Sequence, residues 1–468
     1  MTCSSLALLP PESGTRTHQA KVYENSMLKE NKKGSIMRVF QFGVRFSTVA
    51  LCLAMTVGAI AFAEDWPQFQ GPNRDGTSAE KGLLRAWPES GPKLLWSTPV
   101  GEGYGGPAIR DGEVYVLDRI EGKKDILRCL ALDSGNELWR YEYDAPGEVG
   151  HTGSRTPPTV DEKYVYSVGM MGNFLCIDRK THQPVWQKNL MTDYGLEVPR
   201  WGFSQSPYLY KNLVIVAPQA KDAFVVAYDR ATGNEVWKSP SLGLVGYVPP
   251  IVTTLAGVDQ VVMIGASDKA MTIKGSVAGI SVEDGSILWS YDGWQCFIPI
   301  PYPMPLPGDR LFVTGGYNAG TVMIQVSKAD SGFAVKELFK LDSNVCGSQI
   351  HQPLFYKDHL YINNNSNERM LGMTCMTLDG TVKWRTGEKE GLPMFERGSL
   401  ILADDMIISL DGKSGVLYLV SPSPDGYQEL AHAPVVEGRE LWAPLALSQG
   451  KLIVRSQDTM KCFDLKNP

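Results

Sequence analysis

One stretch constrains this chain more than any other, the thirteen residues from Val225 to Trp237, which read strand, tight turn, strand. Val225 and Ala227 alternate onto one face, Asp229 to Gly233 supply an Asp-x-x-Thr-Gly turn in which glycine is free to take positive φ, and Trp237 adds a large aromatic body that must be buried. A single hairpin is not stable in water, so its faces need neighbours.

The chain supplies them by repetition. Trp96, Trp139, Trp186, Trp237, Trp289 and Trp384 close successive copies, and Phe339 and Leu430 stand in for Trp in two others. Successive copies lie roughly 43 to 52 residues apart, the spacing of four-stranded propeller blades. A second, offset series of residues opens an apolar strand in each repeat: Pro107, Pro158, Pro207, Pro250, Pro305, Pro353, Ser399 and Pro444. Both series count eight. The last copy, Met460 to Asp464, ends without its Trp strand, and Lys93 to Trp96 is a Trp strand without a hairpin partner. Together they complete one blade. The expected fold is therefore all-β, a closed eight-bladed propeller of four-stranded antiparallel blades whose first and last strands share a sheet, leaving no open end.

Ahead of the repeats, residues 1–36 are polar and without strand or helix period, and no domain is expected there. Met37, Arg38 and Arg45, the apolar run from Ser47 and the Ala61-Phe62-Ala63 site read as a secretory leader over 37–63, with translation from Met37 and cleavage before Glu64. An uncleaved anchor is the alternative, although the run is short for a span. Leu51 before Cys52 does not suit lipid attachment. Residues 64–90, with Trp66 and Phe69, are expected to be an ordered arm packed on a propeller over 91–468, because two aromatics in four residues are costly to leave in water. The product is expected in the periplasm or outside the cell, as a monomer with no membrane span after cleavage.

A net charge of −6 gives no basic footprint for nucleic acid. Six cysteines follow the leader. Cys176 and Cys462 lie two residues before a turn Asp and Cys129 and Cys375 four before, on the face where Val225 and Ala227 lie, so they read as small core residues. Cys296 and Cys346 fall outside that pattern, and a bond between them stays open. The run Gly101 to Gly106 matches Gly-x-Gly-x-x-Gly, but Pro107 and a strand follow where a dinucleotide site needs a helix. No histidines fall at zinc-ligand spacing, and no metal site is expected.

The repeat apolar-x-Ala-x-Asp-x-x-Thr-Gly-x-x-x-Trp resembles the pyrroloquinoline-quinone (PQQ)-type β-propeller repeat shared by quinoprotein dehydrogenases and the outer-membrane assembly factor BamB. The resemblance covers roughly 91–468, clearest at Trp139, Trp237 and Trp289, and implies the fold more firmly than the function, since the repeat is a packing device. The dehydrogenases hold their quinone between a Trp and a disulfide of adjacent cysteines above Ca²⁺. No two cysteines here are adjacent, and no Cys-x-x-Cys-His is present for haem. PQQ with Ca²⁺ is accordingly disfavoured and no cofactor is expected. The reading that results is a non-catalytic exported scaffold for a protein partner or a small polar ligand, with a dehydrogenase and a carbohydrate-binding propeller as alternatives.

The innermost strand of a blade lines the channel, so residues two before the second series should meet at its mouth: Gly105, Thr156, Gln205, Val248, Pro303, His351, Arg397 and Trp442. Gln205, His351, Arg397 and Trp442 are the candidate ligand-binding residues, and Trp201, Tyr247 and Trp294 could extend the site into an aromatic funnel.

Overall fold

A computed structural model describes residues 64–467. The polar prefix and leader expected at 1–63 lie outside the described residues. Eight antiparallel sheets follow in chain order, spanning 108–144, 159–189, 208–238, 251–291, 304–341, 354–385, 400–434 and 446–464 (blades 1 to 8). In each, the first strand of the span is the inner one and the strand at the Trp position the outermost. Blade 8 is completed by Lys93–Pro99 paired antiparallel with Thr459–Asp464, Trp96 opposite Cys462, so the ring is closed by the chain's first and last propeller strands.

The outer hairpins show why the repeat has its composition. Directly across from each indole sits a small residue: Cys129 opposite Trp139, Cys176 opposite Trp186, Ala227 opposite Trp237, Gly279 opposite Trp289, Cys375 opposite Trp384. A β-bulge at every such pair swings the indole sideways onto the following blade. There Trp96, Trp186 and Trp237 lie on the turn glycine of the next repeat. A Cβ on Gly135 would stand 2.6 Å from the Trp96 ring, and one on Gly233 2.7 Å from that of Trp186. Their indole N–H groups reach backbone carbonyls at the same turn, Trp96 to Leu132 at 2.7 Å and Trp237 to Val282 at 2.8 Å. All six tryptophans are buried. The turn glycine thus serves twice, for its φ of 70° at Gly233 and for the room it leaves the neighbouring blade.

The six cysteines are free and buried. Cys296 and Cys346 form no bond, and burial holds their thiols up at about 12 and about 11. Gly101 to Gly106 leads into the inner strand Ala108–Arg110 rather than a helix.

The arm departs from a simple four-stranded ring. Thr77–Ser78 adds a short parallel strand to the channel side of blade 7, using the free edge of Leu400–Ala403. The rest of the arm touches every other blade. Trp66 exchanges backbone hydrogen bonds with Ile109, and Pro67 accepts from Val160. The Arg74 guanidinium donates to the carbonyls of Pro207 and Pro250 and lies 4.7 Å over the Tyr208 ring, while the Arg74 carbonyl accepts from the Tyr302 hydroxyl. Gly76 abuts Leu354 of blade 6, and Glu80 accepts from Gly450 and pairs with Lys466 of blade 8. The arm therefore closes one end of the channel.

Candidate functional site

Above the arm lies a cavity of about 340 Å³, floored by Phe69 and walled by the loops entering the inner strands. Its size falls in the range of small-molecule sites. Tyr104, Trp201, Tyr247, Tyr317 and Trp442 supply aromatic surface; Arg155, Arg397, His151, His351 and Glu440 supply charge and titratable groups.

One wall is a stacked assembly. Trp442 lies on Tyr104 with centroids 6.0 Å apart and planes 29° from parallel, and the Arg397 guanidinium sits 4.7 Å over the Trp442 ring. Tyr104 donates to Glu440 Oε2 at 2.9 Å, and Nδ1 of His151 lies 3.2 Å from the same oxygen. Burial and Glu440 push the Tyr104 hydroxyl up to about 12. Arg397 donates to Asn367 and Glu396, which fixes its fork in the cavity wall. Across from it, Trp201 and Tyr247 meet at 5.1 Å. Arg155 is held by the carbonyls of Trp201, Gly150 and His151 and lies 4.8 Å over Tyr104.

These loops carry two further features. His151, Tyr317, Arg397 and Glu440 all have left-handed backbone, with φ of 57°, 57°, 51° and 56°. Such conformations cost non-glycine residues roughly 1–2 kcal/mol each. In addition, buried polar atoms of five lining residues have no hydrogen-bond partner among the described residues: Ser204 Oγ, His351 Nε2, Gln352 Oε1, Arg397 Nε and Trp442 Nε1. His351 is 3 % exposed, and burial lowers its pKa to about 4 against the weaker pull of the Arg397 and Trp442 carbonyls that face it.

Of the residues read from sequence, His351, Arg397 and Trp442 line the cavity together with Trp201 and Tyr247. Gln205 does not. Its amide turns into the wall and donates to Gly246 at 3.1 Å, while its neighbours Ser204 and Ser206 face the cavity. Gly105, Thr156 and Val248 are likewise offset by one residue from Tyr104, Arg155 and Tyr247, since adjacent residues of extended chain point to opposite sides. Trp294 is buried between blades against Gly315 and Cys296 and takes no part. Sequence reasoning missed Tyr104, Arg155, His151, Glu440 and Phe69. Tyr104 and Arg155 each immediately precede a named ring position, and only the strand phase hid them.

A quinone and Ca²⁺ centre does not fit these residues. Ca²⁺ takes roughly six to eight oxygens, whereas Glu440 is the one carboxylate among the lining residues and is already engaged. No group of three or more His, Cys, Asp or Glu among the described residues could hold a metal ion.

Fold and cavity together define a PQQ-like eight-bladed propeller with an enclosed channel site. A family model described as outer membrane protein assembly factor BamB matches residues 122–293 and 274–467, and the chain belongs to that family. Among solved structures it is similar to BamB from Moraxella catarrhalis, at 13 % identity and TM-score 0.54 over 80 % of this chain and 100 % of that one. It is similar too to the quinohemoprotein alcohol dehydrogenase of Comamonas testosteroni, at 13 % identity and TM-score 0.59 over 86 % and 81 %. At these identities the likeness shows the fold alone. A 1-butanol dehydrogenase (cytochrome c) of Thauera butanivorans is 22 % identical over 298 residues, 60 % of this chain and 40 % of that protein, so the chain spans two fifths of the curated relative's length. No helix among the described residues is long and apolar enough to cross a membrane.

Proposed function

We propose that this protein is an exported, non-catalytic binding propeller that takes a small polar ligand in the channel cavity. The observation that carries the reading is the cavity of about 340 Å³ with aromatic walls from Trp201, Tyr247 and Trp442, lined by the Arg155 guanidinium, whose Nη1 has no hydrogen-bond partner among the described residues. A ligand that offers Arg155 Nη1 an acceptor gains a charge-assisted hydrogen bond, and its apolar faces leave water against the aromatic walls. The lining residues offer no nucleophile paired with a base, and His351, held neutral and buried, is poorly placed to exchange protons with solvent. Membership of the BamB family supports a further role for the rim loops in holding a protein partner.

The test is a thermal-shift and calorimetric screen of the full chain against saccharides, organic acids and PQQ with Ca²⁺. A ligand that stabilises the protein and loses its effect in Trp442→Ala supports the reading. Failure of every small molecule to bind, with a partner protein held equally by Trp442→Ala, would sink it. The likeness to an alcohol dehydrogenase favours one second reading, and PQQ binding accompanied by alcohol-dependent dye reduction would establish it.

A further inference from the structure

The charges around the cavity narrow the ligand's chemistry, on the footing that the channel cavity is a binding site. Of the two arginines in the lining, Arg397 is neutralised by Glu396 at its own loop. Arg155 is different. Its Nε and Nη2 are used by the carbonyls of Trp201, Gly150 and His151, and no carboxylate among the described residues forms an ion pair with it. Glu440, the one acid in the lining, is turned to Tyr104 and His151 instead. Burial therefore pulls the Arg155 guanidinium below its ordinary range. A partly desolvated cation whose third nitrogen, Nη1, has no protein partner is poised for an anion.

The polar lining agrees. The Ser206 hydroxyl can donate or accept, and the Tyr317 hydroxyl accepts from Gln349 Nε2 at 3.3 Å and keeps its own proton to donate. The set suits a ligand that carries hydroxyls beside its charge. The walls add a requirement for faces. Trp442 on one side and the Trp201–Tyr247 pair on the other are platforms for the C–H faces of a saturated ring as well as for a flat aromatic one. About 340 Å³ admits one or two such rings.

We propose that the cavity binds an acidic saccharide of one or two rings, its carboxylate against Arg155 and a ring face on Trp442. A flat aromatic polycarboxylate would use the same guanidinium but would offer the Ser206 and Tyr317 hydroxyls acceptors alone, whereas a sugar hydroxyl both donates and accepts.

Isothermal titration of the full chain with D-glucuronate, a diglucuronide, D-glucose and PQQ separates these cases. Glucuronate is expected to bind at least about tenfold tighter than glucose, the scale of one charge-assisted contact, and the preference should shrink as salt is raised. In Arg155→Gln, and in the milder Arg155→Lys, which tests whether the loop merely lost its anchor, the outcomes should differ. Lys keeps part of the preference and Gln abolishes it, with the far-ultraviolet circular dichroism of both unchanged. Equal binding of glucose and glucuronate would overturn the acidic assignment and leave the cavity a ligand site. Binding of PQQ or another non-sugar alone would overturn the saccharide class. Silence from every ligand in the wider screen, Trp442→Ala included, would remove the cavity reading itself.

Discussion

The indole of Trp139 lies flat on the imidazole of His182, ring centroids 4.7 Å apart and planes 12° from parallel. His182 occupies the turn position that glycine holds in the neighbouring repeats, and it does so at a φ of 60°. It offsets that strain with a stack that glycine cannot make, and Trp139 Nε1, unlike the indole nitrogens of Trp96 and Trp237, finds no carbonyl. His182→Ala keeps the strain and loses the stack, so it should destabilise the fold by about 1–2 kcal/mol; His182→Gly loses both and should fall within about 0.5 kcal/mol of wild type. Chemical denaturation of the two variants checks the ordering, and equal losses would refute it.

Trp237 is buried across blades 3 and 4 and donates to Val282. Trp237→Ala should cost about 3–5 kcal/mol through lost burial and a residual cavity. A denaturation midpoint that barely moves would mean that the seam carries little of the ring's stability.

Stability should fall in mild acid because of His351. Its folded pKa, about 4, lies below the ordinary histidine value of about 6.5. Above pH 6.5 it is neutral in both states and contributes nothing; between about pH 6.5 and 4 only the unfolded chain takes the proton, which favours unfolding by up to about 3 kcal/mol. His351→Gln should flatten that part of the pH profile. Profiles that superimpose would show that the imidazole is protonated in the folded state.

How much of this was legible follows from what repeats and what does not. Trp139, Trp237 and their turn residues recur because every blade solves the same packing problem, so blade number and the pairing of Trp96 with Cys462 could be read directly. The cavity has no period. Its walls come from loops whose phase differs by one residue from blade to blade, so that Arg397 and Trp442 face inward at the same nominal position where Gln205 and Val248 face away. Phe69 reaches the site from outside the repeats altogether, through an arm whose path depends on contacts such as Arg74 with Pro207 and Pro250.

That path makes the arm testable. Arg74→Ala would leave the buried Pro250 carbonyl unpaired, while Pro207 keeps the Thr159 hydroxyl, and should cost about 1–3 kcal/mol; Phe69→Ala, which also loses the edge contact with Tyr302, should weaken any cavity ligand. An arm cleaved by protease at the wild-type rate in Arg74→Ala would show that the guanidinium is not its anchor.

Export is tested by the mature terminus. Protein recovered from the envelope of an expressing bacterium should begin at Glu64, and N-terminal sequencing reads this. A start upstream of Glu64, or retention in the cytoplasm, would defeat the expected leader at 37–63.

The shared eighth blade has a temporal consequence. Lys93–Pro99 emerges early in synthesis but has no sheet to join until Thr459–Asp464, at the far end of the chain, has been made. Its indole can lie on Gly135 of blade 1 as soon as that blade is made, but the face opposite Cys462 and the strand's own edge stay open through the production of the blades between. A ribosome that stalls short of residue 459 therefore leaves a ring with a gap and a half-covered tryptophan at its edge, a visible mark of incompleteness for quality-control machinery that binds exposed apolar chain.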